Sequence, residues 1–305
     1  MNAKAEVARG GIAIPRGHPA DYFALTKPRI VLMVLVTTLA GFYLGASAGD
    51  PAAPLDAMRA VELLIGTAFA AGGTLALNQY FERDTDAMMN RTRHRPLPDL
   101  RMRPGEALAF GVLACAAGLV YLLFETNWLC AAVTAAITLV YLGLYTPMKR
   151  RSWMCNVVGA IPGALPPVAG WAAARGDIAM LPILLFAIMF LWQLPHTFAV
   201  ARMFRADFTH AGIHILPPDN ARGGNPSNPV VIGACLGLVA TAIVPSAFGY
   251  AGLAYPLIGS ALGLALLGFG WAMIRDPENR SAARRLLLAS LVYLPAVLLA
   301  LVLNR

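Results

Sequence analysis

The chain has 305 residues, of which 58% are hydrophobic and only 13% are Asp, Glu, Lys or Arg. An ordinary soluble domain is about 45–50% apolar even with glycine counted, so this composition excludes a pair of soluble domains and predicts an all-α, polytopic membrane protein. The net charge of +8 does not indicate a nucleic-acid partner, because the basic residues lie in loops between apolar runs, where they determine membrane topology.

Nine apolar segments are long enough to cross a bilayer as helices, since a span needs about 20 residues and lipid leaves open strands without hydrogen bonds. In chain order they are residues 30–48, 61–80, 107–124, 128–145, 154–173, 179–201, 230–250, 253–273 and 286–303. We therefore expect a tail, residues 1–29, followed by a single transmembrane domain, residues 30–305. Long polar loops after the second and sixth spans suggest two four-helix halves and a ninth helix.

The basic residues predict how these spans are oriented. All Lys and Arg residues except Arg59, Arg175 and Arg305 lie in the tail or in loops on its side of the membrane. Basic loops stay in the cytoplasm, so the N-terminus is expected inside and the C-terminus outside. The tail has neither the apolar core of a signal peptide nor the composition of a transit peptide, which favours a bacterial plasma membrane.

The most polar stretch, residues 78–98, follows the second span directly. Asn78, Glu82 and Asp86 are spaced four residues apart, so on a helix they share one face, whereas Asp84 lies off that face. Two carboxylates and an amide supply the oxygen ligands that suit Mg²⁺, an ion that is commonly shared with substrate phosphates. This spacing predicts a metal-binding helix end.

The basic half of the same stretch carries Arg91 and Arg95, which are also four residues apart. Arginine binds phosphate and carboxylate oxygens through paired N–H groups. Metal-binding carboxylates followed by arginines are what a diphosphate site needs, because both stabilise charge on a leaving group. The alternative is a solvated loop whose charges form ion pairs at a helix end.

Further polar residues lie in the two loops that follow. Lys149 and Arg150 precede the fifth span and either face an anionic substrate or anchor the helix. That span contains Pro162 and Pro166, which predict a kinked helix in the interior of the bundle, lining a cavity or packing closely against its neighbours.

The end of the sixth span carries Trp192 and His196, and Asp207 follows in the loop. A histidine at a membrane edge is either a satisfied hydrogen-bonding group or a ligand. Asp207 either holds a second metal ion or caps a helix and orders the loop.

Together these features resemble the UbiA superfamily of intramembrane prenyltransferases, and in particular its haem-farnesylating branch. The first motif reads Asn78-QYF-Glu82-RDT-Asp86, with Glu82 where the superfamily usually has aspartate. The motifs of the branch are LTKPR at 25–29, MNRTRHRPLP at 89–98, YTPMKRRSWMCNVVGAIPGALPPVAGW at 145–171, WQLPH at 192–196, DFTHAGIHILP at 207–217 and SLVYLP at 290–295. The second loop keeps one acid, Asp207, and has His214 and Ile215 where proline and methionine are expected.

The resemblance implies transfer of the farnesyl group of farnesyl diphosphate to a vinyl group of haem b, giving haem O and diphosphate for haem-copper oxidase biogenesis. Haem b is then a substrate, and Mg²⁺ is the cofactor. The implied metal ligands are Asn78, Glu82, Asp86 and Asp207; the implied catalytic residues are Asn78, Glu82, Asp86, Arg91 and Arg95; and the implied substrate-binding residues are Lys149, Arg150, Trp192, His196 and Asp207. Besides the bilayer, a haem A synthase or a terminal oxidase assembly is an implied partner, and the active site is expected to face the cytoplasm.

Two other functions compete with this one. Another member of the superfamily would prenylate a quinone precursor or a chlorophyllide. A protein of a different class would transport an anionic metabolite, which the kinked fifth span permits. The nearly uncharged loops on the outer side disfavour transport, because a transporter exposes polar groups towards both sides of the membrane.

Overall fold

A computed structural model describes residues 15–48, 55–219 and 224–304. Residues 1–14 of the predicted tail and Arg305, which entered the orientation argument, lie outside the described residues. The described part of the chain is helical throughout and contains no strand. Its helices are α1 Pro19–Leu25, α2 Pro28–Ala46, α3 Ala57–Asp86, α4 Pro104–Glu125, α5 Trp128–Leu139, α6 Thr146–Met148, α7 Cys155–Ala164, α8 Pro166–Arg175, α9 Met180–Met203, α10 Arg205–His210, α11 Ser227–Thr241, α12 Val244–Ala247, α13 Ala254–Arg275 and α14 Arg280–Leu303.

Nine of the described helices or helix runs are long and apolar enough to cross a membrane, as the sequence predicts. Three of these spans are composite. A π-helical stretch, Val140–Tyr145, joins α5 to α6, while α7 and α8 form one span, as do α11 and α12. The predicted division into two four-helix halves stays a prediction.

The second span differs most from its predicted bounds. Its apolar run ends near Tyr80, but α3 continues to Asp86. Hydropathy marks the length of the apolar run, whereas the helix ends only where its backbone hydrogen bonds end. The extra turns extend beyond the apolar core, so the helix presents a polar face at this end of the bundle, which we call the polar end.

The fifth span is broken as predicted, with Pro162 inside α7 and Pro166 at the start of α8. Proline removes a backbone donor, so such a helix is best accommodated among other helices. Close packing surrounds the break: a Cβ at Gly41 would collide with the carbonyl oxygen of Pro167, and one at Gly170 with that of Thr38. The backbones of α2 and α8 therefore touch, and neither glycine tolerates a larger residue.

Candidate active site

A central cavity of about 260 Å³ lies between α2, α3, α5, α7, α8 and α9. Most of its lining is apolar. Tyr145, Asn156 and Thr197 lie on its walls, as do Thr38 and Thr67, whose buried hydroxyls make no hydrogen bond within the described part of the chain. Such a cavity suits a slender apolar chain and keeps bulk water away from it.

The predicted metal-binding face is the polar-end section of α3. Asn78 and Asp86 are buried, and Glu82 is partly buried. Asp84, by contrast, is 85% exposed and forms only a 3.9 Å ion pair with its neighbour Arg83. Asp84 therefore lies off the face that Glu82 and Asp86 share, as the four-residue spacing predicts.

Each of the three oxygen-bearing side chains on this face accepts a hydrogen bond from a basic side chain of a different segment. Lys27 donates to Asn78 (Nζ···Oδ1 2.8 Å), Lys149 to Glu82 (Nζ···Oε1 2.7 Å) and Arg95 to Asp86 (Nη1···Oδ2 2.6 Å). The partners come from the start of α2, from the loop after α6 and from the loop after α3. Folding thus gathers three cations around three oxygen ligands.

Lys27 is a site residue that the sequence marks only through the motif LTKPR, and the structure brings it to Asn78. It precedes α2 with φ of 50°, a left-handed conformation that non-glycine residues rarely adopt. Strained backbone of this kind persists where the surrounding structure enforces it, often at functional sites. Burial, followed by the positive charge of Arg95, lowers the pKa of Lys27 to about 7.

Lys149 has the opposite electrostatic balance. Burial acts to lower the pKa of Lys149, but the neighbouring Tyr145 and Glu82 groups outweigh burial and raise it. Its ammonium also lies 4.4 Å from the centroid of the Tyr145 ring, a cation–π distance. Tyr145 ends the π-helical stretch, an irregularity frequent at functional sites. Lys149 is therefore held as a cation.

Arg91, in the loop after α3, and Asp207, in the short helix α10, lie close enough for their charges to interact. The Arg91 guanidinium lies 5.4 Å from the ring centroid of Phe204 and 5.7 Å from that of Phe208. Burial lowers the pKa of Arg91, and the charges of Asp86 and Asp207 act against that shift. Asp207 also accepts a long hydrogen bond from Asn90 (Nδ2···Oδ1 3.4 Å). The short helix α10 thus brings Asp207 towards the loop that follows α3.

Trp192 and His196 face the last helix instead of the central cavity. The Trp192 indole donates to the backbone oxygen of Ser290 (2.6 Å), and His196 Nδ1 lies 2.9 Å from its Oγ. Because that hydroxyl donates to the backbone of Leu287, it accepts from His196, which places the ring proton on Nδ1. The neighbouring residues Gln193 and Thr197 line the cavity. Gln193 lies within the motif WQLPH and Thr197 directly after it, and the motif alone does not indicate which of these residues faces the cavity.

Arg150 is exposed, and the hydrogen bond recorded there joins its backbone oxygen to the His214 ring (3.1 Å). The structure therefore separates it from Lys149, which points towards Glu82. The role of Arg150 in substrate binding stays a prediction, as do those of Trp192 and His196.

The donor set fits a magnesium ion that is shared with its substrate. Among the described residues, no group of three or more His, Cys, Asp or Glu side chains is close enough to form a metal site by itself. Asn78, Glu82 and Asp86 offer amide and carboxylate oxygens on one face, and Mg²⁺ is typically held by one or two carboxylates together with substrate phosphates and water. The geometry therefore suits a metal bound with a diphosphate.

The fold is found in several solved structures. A structure concerning digeranylgeranylglyceryl phosphate synthase superposes with a TM-score of 0.77 over 93% of this chain and 97% of the other, at 16% sequence identity. A UbiA homologue from Archaeoglobus fulgidus bound to GPP and Mg²⁺ gives a TM-score of 0.62 over 92% of this chain and 99% of the other, also at 16% identity. At these identities the likeness shows the fold.

Sequence comparison shows the family. The chain is 41% identical to protoheme IX farnesyltransferase of Solibacter usitatus, covering 91% of this chain and 96% of the relative. It is 38% identical to the protein of the same name from Myxococcus xanthus, covering 100% of this chain and 99% of the relative. The model of the UbiA prenyltransferase family matches residues 34–292. With nine apolar helices in its described part and a cation-ringed oxygen face, the chain belongs to the UbiA prenyltransferase family.

Proposed function

We propose that this protein transfers the farnesyl group of farnesyl diphosphate to a vinyl group of haem b, giving haem O and diphosphate. The name shared by its relatives, protoheme IX farnesyltransferase, supports this assignment. The observation that carries the chemistry is the ring of cations around Asn78, Glu82 and Asp86 at the polar end of an apolar cavity. That arrangement can bind an anionic head and an apolar tail together.

The diphosphate end of the substrate would lie against the polar end of α3. Asn78, Glu82 and Asp86 would hold Mg²⁺, which when bound neutralises negative charge on the leaving diphosphate. Lys149 and Arg95 donate to these carboxylates and have further N–H groups that could donate to phosphate oxygens. Preorganised donors of this kind stabilise the charge that develops as the carbon–oxygen bond breaks.

The farnesyl tail would fill the central cavity. Loss of diphosphate leaves an allylic cation, which water would quench in an open site. The terminal carbon of the haem vinyl group supplies the electron pair for the new carbon–carbon bond, and positive charge moves to the carbon next to the porphyrin. Water adds there and gives up a proton to diphosphate or solvent, leaving the hydroxyethylfarnesyl chain.

The site is proposed to face the cytoplasm of a bacterial cell. The nine apolar helices found among the residues that the structure describes make this a multi-pass membrane protein. The Lys and Arg residues concentrated at the polar end support an inward orientation with the N-terminus inside and the C-terminus outside. A haem A synthase or a terminal oxidase assembly is the proposed recipient of the product.

Product identification tests this function directly. The full chain in lipid nanodiscs would be incubated with haem b, farnesyl diphosphate and Mg²⁺, and the extracted haem examined by mass spectrometry. We expect a new haem whose mass equals that of haem b plus a farnesyl group and water, less one proton. Prenylation of a quinone precursor with no farnesylated haem would assign the protein to another branch of the family.

A further inference from the structure

A second pocket opens at the polar end of the bundle, outside the central cavity. It has a volume of about 670 Å³ and lies between the end of α9, α10 and the connection from α13 to α14. Small-molecule sites commonly have volumes of roughly 300–1,000 Å³. Its charged lining has more basic than acidic side chains: Arg202, Arg205, His210 and Arg280 against Asp219 and Glu278. We call it the basic pocket.

The central cavity leaves the acceptor without a binding place. At about 260 Å³ it is smaller than most ligand sites and would be occupied by the farnesyl chain. Two other hollows in the described part of the chain, of about 430 and 380 Å³, are lined almost wholly by apolar side chains. Among these four hollows, the basic pocket is the one whose lining offers several cationic groups to a tetrapyrrole with two carboxylates.

The basic pocket and the diphosphate site lie on opposite sides of α10. Asp207 faces the loop after α3 near Arg91, whereas Arg205 lines the basic pocket. An α-helix with its side chains is about 10–12 Å wide, so the two sites are about one helix apart. Phe204 links them, because Arg91 lies 5.4 Å from its ring centroid and Arg280 lies 6.0 Å from the same point.

Arg202 holds neighbouring helices through Met273 and Asn228, but helix stability does not explain Arg205 and Arg280. Arg280 is the first residue of α14, where the partial positive charge of a helix N-terminus disfavours a cation. Arg205 pairs with Glu278 at 3.4 Å, and both side chains are largely exposed. Such surface pairs contribute little to stability. Arg205 can therefore exchange its exposed partner Glu278 for a carboxylate ligand, and Arg280 can accept one while it lies over the Phe204 ring.

We propose that the basic pocket binds the two carboxylates of the tetrapyrrole acceptor through Arg205 and Arg280. In haem b the propionates and the vinyl groups lie on opposite halves of the ring. Holding the propionates in the pocket directs the vinyl edge past Phe204 towards the diphosphate site. This inference rests on the proposed function for the identity of the acceptor, but the pocket's preference for carboxylates is tested separately.

The test compares haem b with its dimethyl ester, in which both carboxylates are masked. The full chain in neutral-lipid nanodiscs would be assayed for binding, by the absorbance of the bound haem, and for turnover. We expect wild type to bind haem b about tenfold or more tightly than the ester, and the Arg205→Gln/Arg280→Gln variant to bind both equally weakly. The KM for farnesyl diphosphate should stay unchanged in the variant.

Arg284→Gln is the matched control, since Arg284 is an exposed arginine one turn further along α14 and is not part of the pocket lining. It should keep the wild-type preference for haem b. Each single variant, checked by thermal unfolding, replaces the double variant if the latter does not fold. Arg280→Lys should restore part of the preference, because lysine keeps the charge.

Three outcomes separate the possible explanations. A double variant that keeps the wild-type preference for haem b over its ester overturns the inference while the proposed function stands. Binding of haem b with carboxylate preference but without any farnesylated product supports the pocket and overturns the proposed function. Repeating the titration with phosphatidylglycerol in the nanodiscs tests whether the pocket binds an anionic lipid headgroup instead of haem b. If that lipid displaces haem b only in wild type, and if the ester binds as well as haem b, the pocket is a lipid site and the inference is overturned.

Discussion

The polar ends of α3 and α9 both carry hydrogen-bonding side chains, but the structure arranges them differently. At the end of α3, Asn78, Glu82 and Asp86 lie on one face, and each is held by a cation. At the end of α9, polar groups are divided between two faces: His196 binds Ser290 of the last helix, while Thr197 lines the central cavity.

This difference between α3 and α9 shows what the spacing of residues along one helix can predict. Spacing of four residues predicts that side chains share a face of a helix. It does not identify the neighbour that this face meets, because that depends on how distant segments pack. On α3 all three oxygen-bearing side chains share one face, so the whole face can bind a metal ion whichever helix it meets. On α9 the polar side chains lie on different faces, so the role of each depends on whether its own face meets the cavity or the last helix.

Among the substitutions that test this comparison, Asp86→Asn is expected to lower turnover most. The substitution keeps the size of the side chain but removes the charge that binds Arg95 and weakens one ligand for Mg²⁺. Loss of a preorganised electrostatic group typically lowers turnover about 10²–10³-fold, here measured as farnesylated haem formed per unit time.

Asp84→Asn is the matched control on the same helix. Asp84 is 85% exposed, and surface substitutions usually change free energies by less than about 0.5 kcal/mol, or roughly twofold in rate. Equal losses in the two variants would show that the net charge at this end of α3 matters and that the helical face of each acid does not.

Lys149→Met is expected to reduce both stability and turnover. The side chains of Lys149 and Glu82 are 13% and 14% exposed, and removing one partner of a buried ion pair costs about 3–5 kcal/mol because the other charge is left unpaired. The Glu82→Gln/Lys149→Met variant should recover most of the unfolding temperature, since no lone charge remains. Turnover should stay roughly 10²-fold low in both. A double variant no more stable than Lys149→Met would contradict the pairing.

The sequence predicts most of the scaffold because its signals are local. Apolar runs of sufficient length predict the nine spans, the four-residue spacing predicts the face of α3, and the prolines predict the break between α7 and α8. Each of these depends on hydropathy, helical periodicity or proline geometry within one segment.

The missed features depend on distant parts of the chain. Lys27 reaches Asn78 across 51 positions of sequence, and nothing in the spacing of either residue indicates that contact. Likewise, the pattern WQLPH marks the end of the sixth span but does not tell whether His196 or Thr197 faces the cavity. Such choices are made by helix packing, which no single segment encodes.

Replacing Lys27 is expected to have a smaller effect, on the affinity for diphosphate, and this effect should depend on pH. Burial and the charge of Arg95 lower its pKa to about 7, so the charged form that attracts phosphate prevails below that pH and is lost above it. We expect wild type to bind inorganic diphosphate about tenfold more tightly than Lys27→Met near pH 6, and the ratio to approach one near pH 8.5.

Protonation of diphosphate changes with pH, but its effect cancels in the ratio of the two affinities, because both proteins bind the same ligand at each pH. Lys27→Arg is the control, since arginine stays charged throughout this range and its advantage over Lys27→Met should not decline. A wild-type ratio that is flat or rises with pH would show that Lys27 does not lose its charge there.

The smallest expected effects come from two neighbours on α9, and they sharpen the comparison most directly. Thr197→Leu narrows the central cavity, and overpacking of about 1 kcal/mol should raise the KM for farnesyl diphosphate about fivefold. His196→Ala should leave that KM nearly unchanged, because the ring lies against Ser290 on another face of the helix; any change in KM should concern haem b. If His196→Ala instead raises the KM for farnesyl diphosphate and Thr197→Leu does not, the faces of α9 are assigned wrongly, and His196 rather than Thr197 borders the prenyl chain.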